Sequence, residues 1–150
     1  MRVLLIVYDS RTGNTEEMAK AVYEGALSAG VTVSLKRVTE ATTNDLLNCY
    51  AVIFGTPTNF GYMAGTIKEF FDQAWLSIGD KPASRAYCAF TCSRTGTEQA
   101  LNSIDTICNS FTQRRQFKFY KALEGVIASP KPSPEVLQAC REMGRKMASL

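Results

Sequence analysis

An apolar run, Val3-Leu4-Leu5-Ile6-Val7, leads into Ser10-Arg11-Thr12-Gly13-Asn14-Thr15, and a helical pattern begins at Glu16. A buried strand, a glycine-containing turn and a helix in that order restrict the chain to folds whose strands end beside helix starts. The N–H groups of such a turn converge on a helix N-terminus, where the first turn lacks internal partners and the dipole favours an anion. Ser10, Thr12 and Thr15 add hydroxyl donors, and Gly13 permits the backbone angle that the turn requires. Arg11 and Asn14 complete the loop. It lacks the lysine of G-x-x-x-x-G-K-[ST], so nothing points to a nucleoside triphosphate. It also lacks G-x-G-x-x-G, which argues against a dinucleotide pyrophosphate. The expected guest is one terminal phosphomonoester.

A chain of 150 residues is expected to form one domain, residues 1–150, and to bury about 70% of its unfolded surface. With 45% hydrophobic and 21% charged residues it reads as globular. No apolar run approaches the roughly 20 residues of a membrane span, and the start of the chain has no signal-peptide pattern. Five cysteines without C-x-x-C argue against a disulfide framework or zinc ribbon. A cytoplasmic protein is therefore expected. The sequence contains no histidine. That removes Ser-His-Asp and Cys-His catalysis, mixed His/Cys zinc sites and imidazole proton shuttles. If the protein is an enzyme, a cofactor carries the difficult step. A net charge of +3 is too small to indicate nucleic acid, and Arg114-Arg115-Gln116-Phe117-Lys118 reads as a solvated helix-to-strand connection.

Further along, strand patterns alternate with helical ones. Strands are expected at Val3–Tyr8, Val31–Val38, Tyr50–Gly55, Ala86–Thr91 and somewhere between Phe117 and Ile127. The first helix runs from about Thr15 to Ala29 and ends at Gly30; a short one lies at residues 44–47. Met63, Ile67, Phe70, Phe71, Ala74, Trp75 and Ile78 make a third helical stripe, read as core rather than a ligand box. Ala100 to Phe111 marks the fourth, and Pro134 opens the last. This alternation predicts a parallel sheet with helices on both faces and ligands at the strands' carboxyl ends. Three strands end in unusual loops on that rim: the phosphate loop, Gly55-Thr56-Pro57-Thr58-Asn59-Phe60-Gly61-Tyr62, and Thr91-Cys92-Ser93-Arg94-Thr95-Gly96-Thr97.

Ser10 to Thr15 resembles the [ST]-x-T-G-x-T phosphate loop of the flavodoxin-like superfamily. Residues 51–61 with Met63-Ala64-Gly65 are similar to the second flavin loop of NAD(P)H:quinone oxidoreductases related to the tryptophan-repressor-binding protein, and of FMN reductases. The resemblance covers nearly the whole chain and weakens between Phe111 and Pro130. It implies a single-domain α/β three-layer sandwich with a five-stranded parallel sheet in the superfamily's known order 2-1-3-4-5, holding FMN at the switch point. Under it, the phosphate sits on Ser10 to Thr15. Pro57, Phe60 and Tyr62 supply the flat contact for the isoalloxazine, and the peptide groups of Thr58, Asn59, Cys92 and Ser93 meet its pyrimidine edge. Thr91 is placed for the ribityl chain and Arg94 near N1 or O2. Gly61 and Gly96 belong to the same two loops.

The resemblance implies an FMN redox protein, with two readings. As an oxidoreductase it takes hydride from NAD(P)H and passes electrons to a quinone or flavin acceptor. As a flavodoxin-type carrier it exchanges electrons with redox partner proteins. The third loop lacks an aromatic residue and the sequence pI is about 8.6, which favour an open flavin face and the enzyme. The short chain without a tetramerisation insert favours the carrier. The resemblance also allows a homo-oligomer. Cys88, Arg94 and Thr95 match the C-x-x-x-x-x-R-[ST] signature of cysteine phosphatases, but Cys88 falls inside the fourth strand and no glycine follows to wrap an oxyanion. Asp9 stands where receiver domains carry acidic residues, yet the third strand ends in Gly55 without a phosphoacceptor aspartate. Cys92 reads as a packing residue rather than a redox thiol.

Overall fold

A computed structural model describes residues 2–150. The first strand, β1 (Val3–Tyr8), is followed by α1 (Asn14–Ser28), β2 (Thr32–Arg37), a 3-10 turn at Val38–Glu40 and α2 (Thr43–Asn48). The chain continues through β3 (Ala51–Pro57), α3 (Gly65–Ile78), β4 (Ala83–Cys92) and α4 (Thr97–Arg114), then β5 (Phe117–Lys121), β6 (Val126–Ala128) and α5 (Pro134–Ala148). The strands lie in the order β2-β1-β3-β4-β5, all neighbours parallel, and β6 also pairs with β4.

Alternate side chains of each central strand pack on opposite faces, which is why β1 and β3 are apolar at almost every position. Leu4, Ile6 and Tyr8 meet Met18, Val22, Cys140 and Met147 of α1 and α5. Leu5, Val7, Val52 and Phe54 meet Ile67, Phe71, Ile104 and Phe111 of α3 and α4. This second face is a web of aromatic rings: Phe54 and Phe71 have centroids 4.9 Å apart, and Trp75 meets Phe111 edge-on at 5.0 Å. Thr32 is exposed and the rest of β2 only half-buried, as befits its place at the sheet edge.

Several boundaries differ from the expectations. The fifth strand is broken in two. Tyr87 pairs with Lys121 and Phe90 with Val126, so Cys88 and Ala89 stand opposite four residues, 122–125. The edge strand thus loops out there, anchored where the Ala122 N–H donates to the Tyr87 carbonyl (2.9 Å). Thr56 and Pro57 still belong to β3 and Cys92 to β4, rather than to the loops after them, while Thr91 lies in β4 as expected. Helix α1 begins at Asn14, one residue before the expected start at Thr15. Met63 precedes α3 but is buried with its stripe.

Candidate functional site

The chain leaves β1 to build β2 on one side and returns to build β3 on the other, so the strand order reverses beside the end of β1. In doubly wound sheets ligands bind in the crevice at such a point. Tyr8 pairs there with Gly55, Thr56 with Thr91 and Pro57 with Cys92, which brings the ends of β1, β3 and β4 side by side. Helices α1, α3 and α4 begin on this rim, and none has a side-chain hydrogen bond at its N-cap. By contrast, Thr42 caps α2 and Ser133 caps α5.

The first loop is held from below. The Ser10 N–H donates to Asp9 Oδ1 (2.8 Å), the Thr66 hydroxyl donates to Asp9 Oδ2 (2.6 Å), and the Asp9 N–H donates to the Gly55 carbonyl (3.1 Å). Ser10 Oγ in turn accepts the Gly13 N–H at 3.1 Å. Gly13 has φ 97°, the left-handed conformation expected of it. Among the described residues, the N–H groups of Arg11, Thr12 and Asn14 have no partner within the protein. Arg11, Thr12 and Gly13 are exposed, whereas Thr15 is buried with its hydroxyl 3.3 Å from Cys92 Sγ.

The second loop is a tight hairpin. Asn59 and Tyr62 exchange backbone bonds of 2.9 and 3.0 Å, and Phe60 (φ 55°) and Gly61 (φ 68°) form its tip. Phe60 is the one non-glycine with positive φ among the described residues, a strained conformation of a kind that concentrates at functional sites. Its side chain is wholly exposed, and Tyr62 is 42% exposed. The third loop closes against this hairpin. Gly96 (φ 77°) approaches so closely that a Cβ there would lie 3.1 Å from Gly61 Cα. Arg94 and Thr95 are exposed.

Beneath both loops lies a floor of threonines. The fully buried Thr91 hydroxyl donates to the Thr56 carbonyl (2.6 Å) and lies 2.8 Å from Thr58 Oγ1. Thr56 Oγ1 accepts the Ala64 N–H at 2.8 Å and donates to the Pro57 carbonyl at 2.7 Å. Thr91, expected beside a ribityl chain, is a brace under the rim, its hydroxyl bonded to the Thr56 carbonyl and in contact with Thr58. Three of the residues expected to meet a ring edge already have their N–H groups engaged within the protein. The N–H of Thr58 is bonded to the Cys92 carbonyl, that of Asn59 to Tyr62 and that of Ser93 to Ala128. Phe60, Gly61 and Arg94 instead carry N–H groups without a partner in the protein, among the described residues.

Burial pushes the Cys92 thiol up despite the Thr15 hydroxyl, so it packs the two loops together as a neutral group. Cys88 is buried within β4 and its thiol is likewise raised by burial, which leaves no phosphatase nucleophile there. Residues outside the expected set also shape the site. Arg37, at the end of β2, donates to the Ser10 carbonyl (3.3 Å) and pairs with Glu16 (3.2 Å) and Asp9 (3.6 Å). No local pattern links it to a loop 27 residues away. Thr56 and Thr66 left only a weak signal, hydroxyl residues flanking the second loop.

A doubly wound sheet with three uncapped helix starts along its ligand-binding rim has the donors to hold an anionic group such as a mononucleotide phosphate. A family model described as flavodoxin matches residues 6–142. A flavodoxin of Aquifex aeolicus is 37% identical over 99% of this chain and 86% of its own length. NAD(P)H dehydrogenase (quinone) 3 of Rhizobium meliloti is 41% identical over 49% of this chain and 44% of its own. The crystal structure of oxidised flavodoxin 1 from Bacillus cereus shares the fold, with a TM-score of 0.79 at 18% identity, over 98% of this chain and 97% of that one. The chain belongs to the flavodoxin family, and its cofactor is FMN. The unpartnered N–H groups of Arg11, Thr12 and Asn14, beside the exposed Thr12 and an uncapped helix, fit a phosphomonoester.

Proposed function

We propose that this protein is an electron carrier of the flavodoxin type, accepting and donating electrons at the rim between the second and third loops. The observation that carries the reading is the likeness to a flavodoxin over almost the full length of both chains. FMN, when bound, supplies the one- and two-electron chemistry. In this reading Ser10 to Thr15 grip the phosphate, and Pro57, Thr58, Asn59, Phe60, Gly61 and Tyr62 form one wall for the ring. Cys92, Ser93, Arg94 and Gly96 form the other, with Thr91 supporting both from beneath. The exposure of Phe60 and Tyr62 supports a contact surface for a redox partner protein beside that ring. Among the described residues all five cysteines are buried and free, and no helix is long and apolar enough to cross a membrane; the cysteines support a place in the cytoplasm.

A second reading, reduction of a quinone or flavin by NAD(P)H, is favoured by the likeness to quinone dehydrogenases over half of the chain. The third loop's lack of an aromatic residue, which leaves one ring face open, favours it too. Anaerobic mixing of the FMN-loaded protein with NADH or NADPH separates the two. The carrier keeps its visible flavin absorbance with either nucleotide and loses it with a reduced partner protein. Rapid bleaching by the nucleotide alone establishes the enzyme instead.

A further inference from the structure

The phosphate loop is bordered by two carboxylates. Asp9 precedes it and Glu16 follows it, with side chains 19% and 31% exposed. A phosphomonoester brings a further charge of about −1.5 to −2 at neutral pH, so this surround opposes the guest that the loop's N–H groups favour. One cation stands between the carboxylates. The Arg37 guanidinium pairs with Glu16 Oε2 at 3.2 Å and Asp9 Oδ1 at 3.6 Å, donates to the Ser10 carbonyl at 3.3 Å, and lies 5.3 Å from the centre of the Tyr8 ring. The Tyr8 hydroxyl donates to the same Glu16 oxygen at 2.9 Å. Hydrogen bonding from Tyr8, then the charges of Lys20 and Arg37, hold the Glu16 carboxyl below its ordinary range.

We propose that Arg37 is a positioning residue for the FMN phosphate: its single positive charge offsets part of the charge of Asp9 and Glu16 and ties the loop to β2, so that the loop accepts a dianion. This rests on the reading of Ser10 to Thr15 as the phosphate grip. Arg37 acts through the two carboxylates and the Ser10 carbonyl, and its charge matters more than its shape. Its partners are partly exposed, so added salt weakens the effect.

The test is titration of the apoprotein with FMN and with riboflavin, read by flavin fluorescence quenching, at low and high salt. Arg37→Gln is expected to weaken FMN about fivefold at low salt and less at high salt, while riboflavin changes less than about twofold. Retained riboflavin binding reports that the variant is folded. Arg37→Lys restores much of the loss. Adding Glu16→Gln to Arg37→Gln also restores it, because an amide still accepts from Tyr8 but no longer repels the phosphate. Equal weakening of both ligands, or no recovery in the double variant, overturns the proposal and leaves Arg37 as a structural brace. Failure of the unsubstituted protein to prefer FMN over riboflavin overturns the phosphate-loop reading itself.

Discussion

The hydroxyl oxygens of Thr58 and Thr91 lie 2.8 Å apart, joining the second loop to the last turn of β4. The single Thr91 proton goes to the Thr56 carbonyl, so Thr58 donates to Thr91. Replacing Thr91 by valine keeps the volume but strands one carbonyl and one hydroxyl donor. Leaving a buried polar group unpaired costs about 1–3 kcal/mol. Thr91→Val is expected to lower the urea midpoint accordingly. If the second and third loops hold the ring as proposed, Thr91 supports both, and the variant should weaken riboflavin and FMN alike.

Thr12 should behave differently. Thr12 is exposed on the first loop, the proposed phosphate grip, and hydrogen bonds to charged groups contribute about 1.5–3 kcal/mol. Thr12→Val is therefore expected to weaken FMN about tenfold or more and riboflavin less than about twofold. Isothermal titration with both ligands checks it, and equal losses would contradict the assignment of the loop.

Helices α1 and α5 pack with their backbones in direct contact. A Cβ on Gly144 would overlap the Val22 carbonyl oxygen, and one on Gly25 would overlap the Arg141 carbonyl oxygen. Neither obstacle is a side chain that can swing aside. Alanine gains roughly 1 kcal/mol of helix propensity over glycine, but overpacking costs about 1–3 kcal/mol and here forces the helices apart. Gly144→Ala should lower stability by about 2 kcal/mol in urea unfolding. An unchanged midpoint would show that the helices separate freely.

Acid should weaken the protein through the capping box of α2. Burial alone would raise the Asp45 carboxyl, but the Thr42 N–H and the Lys36 ammonium, bonded at 3.0 Å, outweigh it and hold it below the ordinary carboxylate range. A carboxyl lowered in the folded state stabilises the fold above its unfolded value and loses that contribution as pH falls through its folded value. Urea midpoints measured from about pH 5 down to pH 3 should therefore fall, and fall less steeply in Asp45→Asn. Identical slopes would remove Asp45 as a contributor.

Much of this architecture was legible because it depends on neighbours in the chain. The Ser10–Thr15 turn, the glycines at positions 13 and 96, and the Pro134 helix start are local solutions to local backbone needs. The apolar runs of β1 and β3 likewise announce strands covered on both faces. Less legible was the edge strand, which breaks at residues 122–125 because its pairing with β4 shifts there. No periodicity between Phe117 and Ile127 records that shift.

Taken alone, the order of residues determined that a strand would end in a loop of amide and hydroxyl donors, and that two more loops would share its rim. Short-range backbone preference and hydrophobic alternation suffice for that. Only the assembled sheet decided which way the hydroxyls turn and which distant charge attends the loop. Thr91 turns inward because β3 offers it the Thr56 carbonyl, and Arg37 reaches Ser10 because β2 pairs in register with β1, with Arg37 opposite Tyr8. Such contacts depend on strand register and side-chain reach across the fold, which are properties of packing rather than of sequence spacing.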